Sequence, residues 1–232
     1  NKKHFCGTHF FNPPRYLRLL EIIPITETRA ELVDFFMHFG EVNLGKQTVL
    51  CKDTPAFIAN RIGVMSGVKV FDLTQKYDLS IEEVDALTGA LIGRPNTGTF
   101  RLQDLVGLDT GEKVTQFVVN NVKNDSFFES VGKAPEIKFM TFLLENNFLG
   151  NKTGKGFYHK TDQKDQNGKT IINALDLKTL EYKPSNRPNN PILKKAKGIE
   201  NMQKRMRFLM GDEGKESLFL KDYFSAIFAY AA

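Results

Sequence analysis

The sequence contains no tryptophan, only two cysteines and only four histidines. Cys6 and Cys51 are too few for a disulfide-built scaffold, and they fit a reducing compartment, so a cytoplasmic location is expected. His4, His9, His38 and His159 are scattered, and neither they nor the cysteines have zinc-ligand spacing, so no metal site is expected. No apolar run approaches the roughly 18 residues of a bilayer span. The opening residues, Asn1-Lys2-Lys3-His4-Phe5-Cys6, run straight into a strand-like segment and do not read as a signal peptide. Also missing is Gly-x-Gly-x-x-Gly with its strand-helix setting, the glycine pattern that lets a backbone approach a pyrophosphate.

What remains is an ordinary globular composition: 232 residues, 41% hydrophobic and 25% charged, with phenylalanine as the dominant aromatic at 20 residues. Those phenylalanines fall on helix stripes and strands, which makes them core rather than a stacking platform. The net charge of +5 is local. Residues 151–221 hold 16 Lys and Arg against 8 Asp and Glu, whereas the rest of the chain holds 16 against 19. A nucleic-acid partner is therefore not expected.

Residues 4–11 read as an aromatic strand stopped by Asn12-Pro13-Pro14, and 17–23 as a second strand ended by Pro24. Thr28 and Glu31 have capping-box spacing ahead of a helix that Gly40 stops, and a short strand follows at 46–51. Thr54 and Pro55 read as the cap and first position of a long helix, with Phe57, Ile58, Ile62, Met65, Val68 and Phe71 as its inward stripe. Ser80 and Glu83 predict a second capping box, on a helix through about Leu91. Further helices are expected at 102–106, 110–122 and 135–146. Residues 150–191 are rich in Gly, Asn, Asp, Lys and Pro and read as a connector with a small hairpin at 170–175 and 179–182. Helices resume at 191–210 and 217–232, and the apolar last residues suggest an end inside a domain.

His9 and Glu21 are the strongest chemical pair. If the first two strands form a hairpin, residues whose numbers sum to about 30 face each other, which brings His9 to Glu21. Glu21 shares a face with Leu17, Leu19 and Ile23, so its carboxylate would be buried and need a partner. A carboxylate-held imidazole is a standard general base. The plainer alternative is a core histidine and an unrelated glutamate. Asn60 is a poor helix former early in the long helix; its amide either bonds the local backbone or meets a ligand. Lys152-Thr153-Gly154-Lys155-Gly156-Phe157-Tyr158 lacks P-loop spacing and reads as a glycine-rich turn with one lysine free to face a ligand.

These segments resemble the NAD-dependent L-3-hydroxyacyl-CoA dehydrogenases. The resemblance rests on Gly7-Thr8-His9-Phe10-Phe11-Asn12-Pro13, Leu20-Glu21-Ile22-Ile23, the run from Cys51 to Ile62, Asp104 to Asp109, and Lys152 to Tyr158, in the family's order. It implies a mainly α fold: a helical domain like the C-terminal domain of 6-phosphogluconate dehydrogenase, preceded by the last strands of a truncated Rossmann domain. The implied domains are those strands at 1–24, the helical domain at 25–158, a basic connector at 159–190 and the start of a second helical domain at 191–232.

The resemblance also implies roles. His9 would take the 3-hydroxyl proton, Glu21 would orient and charge-balance it, and Asn60 would hold the substrate oxygen. Asn12 and Lys152 would contact NAD. The substrate would be an acyl-CoA within fatty-acid β-oxidation, and the helical domain would pair with a second copy or a second domain, as in large members that also carry an enoyl-CoA hydratase domain. Departures are Ala56 where the family has glycine, Gly98-Thr99-Phe100 where it has Gly-Pro-Phe, and the missing nucleotide fingerprint, so these residues alone are expected to be inactive. Two alternatives stay open: a dehydrogenase of another 3-hydroxy acid, and a helical dimerisation module without catalysis.

Overall fold

The computed structural model describes residues 1–232. Three short strands lead: β1 (Cys6–Phe10), β2 (Leu19–Pro24) and β3 (Gln47–Leu50), with α1 (Ala30–His38) and a π-type turn over Phe39–Asn43 between β2 and β3. Their order is β1-β2-β3, antiparallel then parallel. The β1–β2 register pairs Cys6 with Pro24 and His9 with Glu21, so paired numbers sum to thirty as the turn spacing predicts.

The expected capping box at α1 does not form. Arg29 stands at the cap position without a side-chain bond, because the Thr28 hydroxyl accepts from the Ile25 N–H and donates to the Phe5 carbonyl instead.

The long helix starts later than Thr54-Pro55 predicts. Residues α2 (Ala59–Lys76) are helical, while Ala56 and Phe57 hold left-handed φ angles of 63° and 50°. That kink turns the inward stripe: Met65, Val70, Phe71 and Leu73 are buried, but Ile58 is exposed. Then follow α3 (Ile81–Thr88), α4 (Phe100–Val106), α5 (Leu108–Asn121), α6 (Ser126–Val131) and α7 (Lys138–Glu145). The Ser80–Glu83 capping box is present in both directions. The helix α6 was not expected; Asp125 caps it, accepting from the Phe127 and Phe128 N–H groups.

The connector carries a three-stranded antiparallel sheet, β4 (Tyr158–Lys164), β5 (Thr170–Leu175) and β6 (Tyr182–Pro184). The expected pairing of 170–175 forms, though with Tyr182–Pro184 rather than 179–182; the strand β4, which pairs with the other side of β5, was not expected because it alternates too many polar residues to read as a strand. Gly198 breaks the expected 191–210 helix into α8 (Pro191–Lys197) and α9 (Met202–Gly211), and α10 (Lys215–Ala231) closes the chain.

One core of 22 buried residues runs from Val70 through Phe100, Phe139 and Phe157 to Tyr223. Its centre is aromatic, with Phe100 and Phe157 rings 4.7 Å apart edge to face. No helix is long and apolar enough to cross a membrane.

Candidate active site

Two adjacent strands and the start of α2 build the site. Cross-strand pairing puts His9 and Glu21 on one face of the first sheet, and His9 Nδ1 lies 2.7 Å from Glu21 Oε2. The Glu21 side chain is 1% exposed and His9 is 30% exposed, so the carboxylate is enclosed while the imidazole reaches solvent. The other oxygen, Oε1, accepts from the backbone N–H of Ile58 at 3.1 Å and of Ala59 at 2.8 Å. These are open donors at a helix start, so a distant carboxylate does the work expected of Thr54. With three bonds, the buried charge is satisfied.

This arrangement sets the chemistry of His9. Its Nδ1–H is directed at Glu21, which leaves Nε2 with the lone pair of a base. Phe11 packs edge-on at 4.7 Å between ring centroids and Phe57 lies tilted at 5.6 Å, so the imidazole is held in an apolar sleeve. Cys51 is buried next to the same carboxylate. Burial, reinforced by the Glu21 charge, pushes its thiol up to about 11, so it is no nucleophile at neutral pH.

Asn60 is the second residue of the same helix. It is half-buried and lines an open groove with Phe11, Val64, Gly67 and Leu108, and its amide forms no hydrogen bond to the local backbone. The structure joins His9 to Glu21 directly, and Asn60 follows Ile58 and Ala59, whose N–H groups the Glu21 carboxylate holds; no bond links Asn60 to His9 or Glu21.

Asn12 and Lys152 lie differently. Asn12 is exposed in the turn after β1. The Lys152 ammonium pairs with Asp109 at the start of α5, and no bond joins it to His9, Glu21 or Asn60. Sequence reasoning missed a second anchoring device there. Asp104, 2% exposed, accepts from the Phe157 and Tyr158 N–H groups, both at 2.8 Å, and so ties the glycine-rich turn to α4. A Cβ at Gly156 would collide with that carboxylate, which is why only glycine fits the turn.

The family model described as "3-hydroxyacyl-CoA dehydrogenase, NAD binding domain" matches residues 1–54, and "3-hydroxyacyl-CoA dehydrogenase, C-terminal domain" matches residues 57–160. The boundary between them falls at the kink between β3 and α2, where the site lies. The chain belongs to the NAD-dependent 3-hydroxyacyl-CoA dehydrogenase family.

A Bacillus subtilis (strain 168) protein named probable 3-hydroxyacyl-CoA dehydrogenase is 42% identical over 100% of this chain and 28% of its own length. A Rickettsia prowazekii (strain Madrid E) protein, named as a fatty acid oxidation complex trifunctional enzyme, is 32% identical over 79% of this chain and 25% of its own length. The crystal structure of 3-hydroxybutyryl-CoA dehydrogenase from Escherichia coli K12 matches with a TM-score of 0.54 and 30% identity, covering 65% of this chain and 30% of that one. The chain therefore spans between a quarter and a third of the length of these dehydrogenase relatives.

The family's cofactor is NAD. The residues present fit only part of it. His9 offers a free Nε2, but between Gly7 and Gly40 the β2-to-α1 connection has no glycine with which to approach a pyrophosphate.

Proposed function

We propose that this chain carries the base-bearing part of a dehydrogenase that interconverts L-3-hydroxyacyl-CoA and 3-ketoacyl-CoA within fatty-acid β-oxidation. The observation that supports it most is the His9–Glu21 pair, with a buried carboxylate at 2.7 Å from a partly open imidazole.

In the oxidation direction His9 Nε2 takes the proton of the 3-hydroxyl. Glu21 holds the ring and balances the imidazolium that results, without itself becoming protonated. The Asn60 side-chain N–H donates to the substrate's 3-oxygen and fixes it beside Nε2. Phe11 and Phe57 keep water from the face of the ring. NAD, when bound, supplies the hydride acceptor. Asn12, at the end of β1, and Lys152, on exchanging Asp109 for an anionic group, are the residues of this chain assigned to the cofactor.

The same reading makes 25–158 a helical domain like that of 6-phosphogluconate dehydrogenase and 191–232 helices of a second one packed against it, since α8, α9 and α10 share the core of α2, α3 and α7. The trifunctional name of the Rickettsia relative supports a setting with further activities on the same polypeptide, of which a hydratase is the one proposed.

The 232 residues alone are expected to be inactive for want of a pyrophosphate cradle. Joined to a nucleotide-binding region with Gly-x-Gly-x-x-Gly ahead of Asn1, the chain is expected to consume NADH with acetoacetyl-CoA. In that polypeptide His9→Gln should lower kcat by about a hundredfold or more, since a positioned base contributes on that order, with melting unchanged. A wild-type rate in His9→Gln removes His9 from the mechanism.

A further inference from the structure

The first turn of α2 is held from a second side. Arg61, next to Asn60, donates from Nε to the Tyr230 hydroxyl at 2.8 Å and from Nη2 to Asp125 Oδ2 at 2.5 Å. The Tyr230 hydroxyl in turn donates to the same Asp125 oxygen at 2.7 Å. Asp125 is 7% exposed, and its other oxygen caps α6 through Phe127 and Phe128. Burial works to raise the Asp125 carboxyl, but the bonds from Arg61 and Tyr230 outweigh it and leave it below the ordinary carboxylate range. The Tyr230 ring is itself fixed, packing edge-on against Phe127 and Phe128 at 5.9 and 6.0 Å.

The same end of α10 touches the site by a second route. Ile227, one turn before Tyr230, lines a cavity of about 370 Å³ together with Glu21, Ile58 and Ala59. Between the two contacts lies a helix start that cannot hold itself. It has left-handed residues at 56 and 57 and no side-chain cap of its own. A left-handed non-glycine residue is strained, so the turn persists only because its surroundings impose it. Glu21 secures its N–H groups from the sheet side. The Tyr230–Arg61–Asp125 network secures its side-chain face from the helical side.

We propose that Tyr230 is a positioning residue of the active site: through Arg61 it fixes the first turn of α2 and so the direction in which Asn60 presents its amide. The last turn of α10 is then part of the machinery, although it lies 170 residues from Asn60 in sequence and touches neither substrate nor base. The inference rests on the proposed role of Asn60 as the substrate-oxygen donor.

The test uses the 232-residue chain with ¹⁵N-labelled side chains. Tyr230→Phe removes only the hydroxyl and keeps the ring packing. The expected result is faster solvent exchange at Arg61 Nε–H and a shift of the Asn60 side-chain amide pair, with melting close to wild type. Arg61→Lys, which keeps the charge on Asp125 but loses the forked geometry, should shift the Asn60 pair in the same way. An Asn60 pair unmoved in both variants, with Arg61 Nε–H exchanging faster in Tyr230→Phe, overturns the proposal and leaves Tyr230 a purely structural clamp. Should Tyr230→Phe unfold the chain, Arg61→Lys decides alone. The reading of the function fails separately, on the turnover of His9→Gln, since the resonance measurement needs no turnover.

Discussion

Glu21 does two things with one carboxylate. It orients His9 and it closes two open N–H groups at the start of α2. The first task is legible in sequence, because period-2 bookkeeping buries residue 21 and a hairpin register brings residue 9 to it. The second is not, since the donors lie 37 and 38 residues away and local rules offer Thr54 and Pro55 as the helix start. Local capping chemistry failed there for a physical reason: a fully buried acceptor outcompetes a hydroxyl that water can serve. The double role predicts unequal substitutions. Glu21→Ala strands three donors, and each unpaired buried donor costs about 1–3 kcal/mol, so a loss of about 3 kcal/mol or more in urea unfolding is expected. Glu21→Gln keeps an acceptor oxygen and should lose clearly less. Equal losses would mean that Glu21 is not what holds the helix start.

At the scale of elements, the two capping boxes offered by the sequence met different ends. Ser80–Glu83 formed because nothing else competes for Ser80, whereas Thr28 was taken by Phe5 and Ile25. The glycine-rich turn was recognised by pattern, but its anchor on α4 was not, because Asp104 reads as one more polar residue on a short helix. Burial pushes the Asp104 carboxyl up to about 6, against the pull of the Tyr158 and Phe157 N–H groups. The sign of its effect follows. The folded value lies above the ordinary 3.8, so the folded chain binds more protons than the unfolded chain between about pH 4 and 6. Its contribution is fully present below pH 4 and is lost as pH rises through 6. Asp104→Asn has no such titration, so the melting temperature of wild type minus that of Asp104→Asn should fall as pH is raised from 4 to 7.5. A difference that is flat or grows over that range would place the carboxyl at or below its ordinary value.

Across the whole molecule, stability is unevenly distributed. The core from Val70 to Tyr223 takes in helices on both sides of the basic connector, so α8, α9 and α10 complete the packing of α2, α3 and α7. No periodicity in one segment could reveal that, because the pairing of α10 with α2 joins residues about 150 positions apart. The leading strands have no such support: Leu20, Ile22, Ile23 and Cys51 are their only buried apolar residues, while Phe5, Phe10, Phe35, Val42 and Leu50 are exposed. Both edges of that sheet, β1 and β3, are open. Local opening free energy tracks buried apolar contact, so amide hydrogen exchange should rank the chain in two tiers. Amides of β1 and β3 should exchange first. Amides of Val70–Leu73, Val84–Leu87 and Phe219–Tyr223 should exchange together and last, at the rate set by global unfolding. The decisive comparison is α10 against α3. If α10 exchanges well ahead of α3, the C-terminal helices are not part of one cooperative unit with the site-bearing helix, and a clamp acting from Tyr230 would lack the rigidity to position anything. If the two exchange in step, the strand-borne His9–Glu21 pair is the yielding half of the proposed site and the helix-borne Asn60 is the fixed half.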